Sequence, residues 1–290
     1  MLDHRSAPDL SRLRPHPRRV LLPLGGQFDE DLLEDYILPV ARAFQLTLHA
    51  AHMLVPDVEL AVVAAPGEWI DPTVLETQEE LEQDRLRGGQ ALLAAFADRC
   101  WSAGVACETR QDVDNDVDGL LRLTADADLL LLAARGHRHR RFMRSSVFDQ
   151  LLRRSPIPVW VPSADAVAPR RLVVAYDASR HAKDALRQGA ELALDWSLPV
   201  ELLVVQREDA GQDGAETILE AQTSLRELGV PAVATHLTLG TPGEILATYA
   251  RPDTLLVLGG HRHGSVLGFG RGHTVDVVLE GARGALMVCP

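Results

Sequence analysis

Pro17-Arg18-Arg19-Val20-Leu21-Leu22-Pro23-Leu24 and Pro169-Arg170-Arg171-Leu172-Val173-Val174-Ala175-Tyr176 are two versions of one phrase. In each, a proline and two arginines lead into a short aliphatic run, the mark of a buried strand. Each half then closes in the same manner, with Pro158-Val159-Trp160-Val161-Pro162 in one and Leu286-Met287-Val288-Cys289-Pro290 in the other. Gly-His-Arg-His follows an apolar run in both, at Gly136–His139 and Gly260–His263. An internal repeat of this size predicts two copies of one domain, 17–162 and 169–290, joined by the small-residue linker Ser163 to Ala168. The openings lie 152 residues apart and the closings 128, so the first copy carries an insertion of about 24 residues, placed at Pro56 to Pro72 by the turn signal Pro66-Gly67.

Between these landmarks, strands alternate with helices. In the first copy, strands are expected at 19–24, Leu46–Leu54, Val105–Gln111, Asp128–Ala133 and Val159–Val161. Helices are expected at 29–44, Thr73–Arg99 (weakened at Gly88-Gly89), Val117–Thr124 and Val147–Arg154. The acidic run Asp112 to Asp118 lacks the glycine and glutamate of a calcium loop and is read as a cap on the next helix. The second copy repeats the order. Its strands fall at Leu172–Tyr176, Val200–Val205, Val233–Leu237, Thr254–Leu258 and Ala285–Cys289. Its helices fall at Ser179–Asp195, Gly214–Leu228 with Gly229 as terminator, after Thr241-Pro242, and at Val275–Leu279. Such alternation predicts an α/β fold with right-handed crossovers, a parallel sheet and helices on both faces.

Composition excludes several classes. The 290 residues carry a net charge of −12, which argues against a general nucleic-acid or anionic-membrane binder. Three cysteines without a Cys-x-x-Cys spacing predict neither a disulfide framework nor structural zinc and fit a reducing, cytoplasmic setting. No apolar stretch approaches a membrane span, and the arginine- and proline-bearing start has no signal-peptide core. His137/His139 and His261/His263 offer only two ligands each, so no metal site is expected. No Gly-x-Ser-x-Gly elbow or Ser/His/Asp arrangement is present, so no catalytic residue is assigned. A dinucleotide oxidoreductase is excluded because no Gly-x-Gly-x-x-Gly follows either first strand.

In a doubly wound sheet, ligands sit beyond the carboxyl ends of the strands at the switch point. In the second copy the loops expected there are Asp177-Ala178-Ser179 and Gly259-Gly260-His261-Arg262-His263-Gly264, the latter leading to Gly272 and a helix beginning near His273-Thr274. Backbone amides of a glycine-rich loop backed by a helix N-terminus suit a phosphate, Asp177 suits a ribose hydroxyl, and His261, Arg262 and His263 supply positive charge. Glycine-rich loops after strands also serve simply as tight turns.

Five features in order carry a resemblance to the universal stress protein family: a first strand ending in Asp-x-Ser, an apolar second strand, Gly240-Thr241-Pro242-Gly243-Glu244-Ile245-Leu246, the Asp253–Gly259 strand, and the glycine loop with its closing strand. The resemblance runs from about Arg18 to Pro290. It implies five-stranded parallel sheets of order 3-2-1-4-5 in two domains about a pseudo-twofold axis, paired through the last strands. It implies a non-catalytic stress-response protein, with two chains pairing again as a homodimer, an unknown protein partner, and ATP or AMP in the second domain; any magnesium would come with the nucleotide. The alternative is an ATP- or AMP-binding protein with slow ATP hydrolysis. Carried over residue by residue, the cofactor contacts fall on Asp177, Ser179, Gly259, His261, Arg262, Gly272, His273 and Thr274. Three positions depart from the family's pattern: Ala178 replaces a glycine between Asp177 and Ser179, Arg262 fills the second glycine position, and His273 stands where serine or threonine belongs. In the first copy Gly25-Gly26-Gln27 replaces Asp-Gly-Ser and Ala133 replaces the first glycine, so no nucleotide site of the family's type is expected. Its loop instead gathers Arg135, His137, Arg138, His139, Arg140, Arg141 and Arg144, read as solvated arginines pairing with an acidic surface, with an anion or phosphate contact, or an acidic docking partner, as the alternative.

Overall fold

The computed structural model describes residues 18–26, 28, 30–54, 72–114, 116–133, 147–206, 214–230, 233–260 and 273–290. The insertion at 56–71 and the basic loop at 134–146 lie outside the described residues, as do His261, Arg262, His263 and Gly272.

The first lobe runs β1 (Arg19–Pro23), α1 (Glu30–Phe44), β2 (Thr47–Leu54), α2 (Pro72–Ala103), β3 (Ala106–Val113), α3 (Asp116–Leu123), β4 (Leu129–Leu131), α4 (Val147–Arg154) and β5 (Val159–Val161). The second runs β6 (Arg171–Ala175), α5 (Arg180–Trp196), β7 (Val200–Gln206), α6 (Gly214–Glu227), β8 (Ala234–Leu239), α7 (Pro242–Tyr249), β9 (Thr254–Gly259), α8 (His273–Gly281) and β10 (Ala285–Cys289). The two sets of strands form one ten-stranded sheet in the order β3-β2-β1-β4-β5-β10-β9-β6-β7-β8. Each lobe thus has the order 3-2-1-4-5, and the sequence reads the same from either edge inward. All pairings are parallel except the seam, where β5 and β10 run antiparallel with Trp160 opposite Met287. The central strands are fully buried aliphatic runs, as at Leu129–Leu131 and Leu255–Val257.

Four helices turn back to the sheet through one device. After α1, α2, α5 and α6 a single residue takes a left-handed conformation, at Gln45, Gly104, Ser197 and Gly229. The next amide then bonds five residues back, as in Val105 N to Cys100 O at 2.9 Å and Leu198 N to Ala193 O at 2.9 Å. This Schellman closure caps the last carbonyls and redirects the chain at once into a strand or toward one. Gln45 and Ser197 accept a backbone strain of about 1 kcal/mol that glycine avoids.

The seam holds the lobes together through aromatics. Trp160 on β5 is 1 % exposed. It meets Tyr36 of α1 edge-on (centroids 5.5 Å, 84°) and Trp196 of α5 at 5.4 Å, while Trp196 stacks on Phe44 at 4.3 Å. Phe44 and Tyr36 come from the first lobe and Trp196 from the second, so the cluster is a shared core. Arg18 Nε donates to Asp195 at 2.7 Å across the same boundary. The linker lies against the second lobe, with Val167 N donating to Pro252 O at 2.9 Å and Arg283 paired with Asp165.

Gly88-Gly89 does not interrupt α2, which runs unbroken over 32 residues. A Cβ on Gly89 would stand 2.4 Å from the His52 ring and 2.5 Å from Gln111 Nε2. The glycine is where the helix lies down on the side chains of β2 and β3, and Gln111 secures it by donating to Leu86 O at 3.2 Å.

Candidate functional site

In the second lobe, β6 and β9 are neighbours, and the loops leaving their carboxyl ends meet at the switch point. Asp177 Oδ1 accepts from Ser179 N at 3.0 Å, closing an Asx turn, and Ser179 Oγ accepts from Ala182 N at 3.2 Å, capping α5. Between them Ala178 has φ +61°, the conformation that the family's glycine would take without strain. Gly259 closes the other side. A Cβ there would lie 2.6 Å from the His181 carbonyl carbon, so the first turn of α5 seats directly on the end of β9. Gly260 follows, its amide donating to Cys289 O at 2.7 Å, which ties the departing loop to β10. Asp177, Ser179 and Gly259 are therefore brought together.

Thr274 stands half-buried in the first turn of α8, behind His273. That turn is seated against α7, where a Cβ on Gly243 would meet Val277 at 2.8 Å and the Thr274 carbonyl at 3.4 Å. Thr241 precedes α7 as its N-cap, with Pro242 at the first helical position. Nearby, three residues given no functional role in the sequence reading link the β6 end and α5 to α6. The Tyr176 hydroxyl donates to Glu220 at 3.0 Å, and Lys183 Nζ pairs with the same oxygen at 2.8 Å. Burial, then the Glu220 carboxylate, pushes the Tyr176 phenol upward. The Lys183 ammonium and then Tyr176 hold Glu220 below the usual carboxylate range.

The corresponding end of the first lobe is built differently. Gly25 and Gly26 take left-handed conformations, φ +86° and +63°. His52 Nδ1 lies 2.9 Å from Leu24 O, and a Cβ on Gly25 would stand 2.8 Å from that nitrogen. A cavity of about 380 Å³ opens beside them between β1, β2, α2 and α3, with Phe28, Met53, Leu92 and Leu120 as apolar wall and Arg85 and His52 as polar groups. No carboxylate is among its described lining residues. Two Gly-Gly pairs, 25–26 and 88–89, are the signal that could have pointed to this cavity, which the sequence reading missed. Ala133, at the family's first glycine position, is fully buried.

Among the described residues no group of three or more His, Cys, Asp or Glu side chains could hold a metal ion, and no helix is long and apolar enough to cross a membrane.

The profile of the Universal stress protein family matches residues 17–162 and again 169–290. Among solved structures, the chain is similar to a universal stress protein from Archaeoglobus fulgidus DSM 4304, at 19% identity and TM-score 0.66, covering 94% of this chain and 96% of that one. A functionally unknown protein from Pseudomonas aeruginosa PAO1 is similar at 15% identity and TM-score 0.57, covering 94% and 92%. At these identities the likeness is one of fold. None of the curated proteins matches the chain.

Proposed function

The chain belongs to the universal stress protein family, and from that premise we propose that it is a non-catalytic, cytoplasmic stress-response regulator whose second domain, 169–290, senses an adenine nucleotide, ATP or AMP. The observation that carries this reading is the Asp177-Ala178-Ser179 turn seated beside Gly259. The turn keeps the shape of an Asp-Gly-Ser motif although alanine occupies its centre. One Asp177 oxygen is spent on the turn, and the second is the group to accept from a ribose hydroxyl. Gly259 and Gly260 present backbone without side chains at the strand end, and Thr274, in the first turn of α8, supplies a hydroxyl near a helix N-terminus. His261, Arg262, Gly272 and His273 complete the proposed contact set, with the Arg262 guanidinium meeting phosphate oxygens in place of a glycine amide. Bound nucleotide would supply charge and, with its magnesium, a divalent centre; the protein's part is recognition.

The first domain, 17–162, offers glycines where the carboxylate is needed, and its role in this reading is pairing through the seam. Two chains pair in turn as a homodimer. Mass spectrometry of ligand retained by protein purified without added nucleotide tests the proposal. Recovery of AMP or ATP supports it. Empty protein that also gives no saturable signal with ATP or AMP at millimolar concentration refutes it.

A further inference from the structure

The chain's three thiols are not equivalent. Cys289 is sealed in the sheet, 0% exposed, and burial pushes its thiol well above the ordinary range. Cys100 is equally sealed, on the last turn of α2. Cys107 is half-buried on β3, one of the two edge strands of the sheet. Seven residues separate these last two, and the chain between them is sharply reversed. Gly104 takes the left-handed position at φ +68°, Val105 N bonds back to Cys100 O at 2.9 Å, and β3 returns along the helix it has just left. Alternation along an extended chain places Cys107 on the same side as Val105, the side that packs on Cys100. Cys107 packs against the buried cluster that holds both Cys100 and Val105, and its Sγ lies 3.7 Å from the Glu108 carbonyl oxygen.

We propose that Cys107 and Cys100 form a hydroperoxide-reactive thiol pair, Cys107 being the sulfur attacked first and Cys100 the one that resolves it into an intramolecular disulfide. The chemistry follows from the asymmetry of the pair. The hydrogen bond from Cys100, with a backbone hydrogen bond from Ala50, holds the Cys107 thiol below the ordinary cysteine range. Giving that hydrogen bond, together with burial, drives Cys100 upward. The more acidic thiol is therefore the one that solvent can reach, where peroxide chemistry needs it.

In the first step the Cys107 thiolate attacks one oxygen of a hydroperoxide. The O–O bond breaks, the sulfur becomes a sulfenic acid, and the leaving alkoxide or hydroxide takes a proton from water. In the second, the Cys100 sulfur attacks the Cys107 sulfur. The S–O bond breaks and hydroxide leaves with the Cys100 proton as water. Two thiols and one hydroperoxide yield one disulfide, one alcohol (or water) and one water. The bond would fasten the end of α2 to the edge strand. Access comes from the sheet edge, where Cys107 is itself only half-buried.

Trypsin provides a direct readout, because no lysine or arginine lies between Arg99 and Arg110, so both sulfurs fall in the peptide Cys100–Arg110. The intact chain is treated with hydrogen peroxide, alkylated and digested. We expect this peptide to lose two hydrogens and to resist alkylation until dithiothreitol restores both sites, in a chain that stays monomeric on non-reducing gels. Cys107 should react at least about ten times faster than Cys289. In Cys100→Ser the reaction should stop at a sulfenic acid on Cys107 that dimedone captures. In Cys107→Ser, a change at a half-exposed edge position that leaves the core intact, Cys100 should survive the same dose unmodified. The proposal is overturned if peroxide-treated wild type alkylates at both thiols, if the link joins two chains or involves Cys289, or if Cys100 oxidises as fast without Cys107.

Discussion

The same strand ends are finished in two ways within one chain. Beyond β6, a carboxylate, a left-handed residue and a capping serine form a polar turn against Gly259. Beyond β1, two left-handed glycines leave a mostly apolar cavity with His52 and Arg85 at its side, and alanine stands where Gly259 has its counterpart. The sheet beneath is the same in both. The difference teaches that the fold fixes where a ligand can sit, while a handful of loop residues fix whether a nucleotide has anything to hold.

The largest effect is expected where the lobes depend on each other. Trp160→Ala removes the ring that joins Tyr36 to Trp196 and should cost about 4 kcal/mol in urea unfolding. If the lobes were independent, the loss would fall on the first alone; a shared core predicts that probes in both lobes shift together. Next comes the glycine that separates them. Gly259→Ala drives a methyl into the His181 backbone and should destabilise by about 3 kcal/mol. The converse change in the first lobe, Ala133→Gly, should cost only about 1 kcal/mol, as a lost buried methyl and a freer backbone. Equal costs would mean that the two strand ends are packed alike.

A smaller gain tests the turn. Ala178→Gly relieves a positive φ and should raise stability by up to about 1 kcal/mol without weakening nucleotide binding. A loss of stability would show that alanine is not strained there. The smallest effect depends on pH. Register places His49 in the first lobe where Glu201 stands in the second, Leu21 facing one and Val173 the other. Burial, then Arg19, holds His49 below the ordinary histidine range, against a smaller opposing pull from Glu108. Its folded form is thus neutral, so its contribution is fully present above about pH 6.5 and is lost as pH falls through the lowered value. His49→Leu should flatten that acid-side slope in unfolding free energy, while the Glu201–His236 pair of the second lobe is left in place.

Much of the fold was legible because buried parallel strands are written as aliphatic runs and helix starts as caps. Pro242 opens α7 behind Thr241 and Gly229 ends α6 in a left-handed turn, as read, although Thr241 makes no side-chain cap bond and Ser179, read as the first helical residue, is instead the cap of α5. The repeated phrases announced the tandem organisation. Tertiary facts were harder to read. Gly88-Gly89 looked like a weakness in a helix because sequence shows the missing side chain and not the His52 and Gln111 groups that fill its place. Gly259 read as a phosphate-loop glycine, yet its first constraint is the approach of α5. Ala178 concealed a left-handed turn behind a residue that rarely adopts one. The Tyr176–Glu220–Lys183 link joins residues up to 44 apart, and no local pattern reports such a contact.

The division of labour between the lobes is tested most directly by calorimetric titration of the intact chain with ATP and with AMP, repeated on Asp177→Asn. The account predicts one nucleotide per chain and at least about a tenfold loss of affinity in the variant, some 1.4 kcal/mol. Two nucleotides per chain, or one bound as tightly without the Asp177 carboxylate, would contradict it.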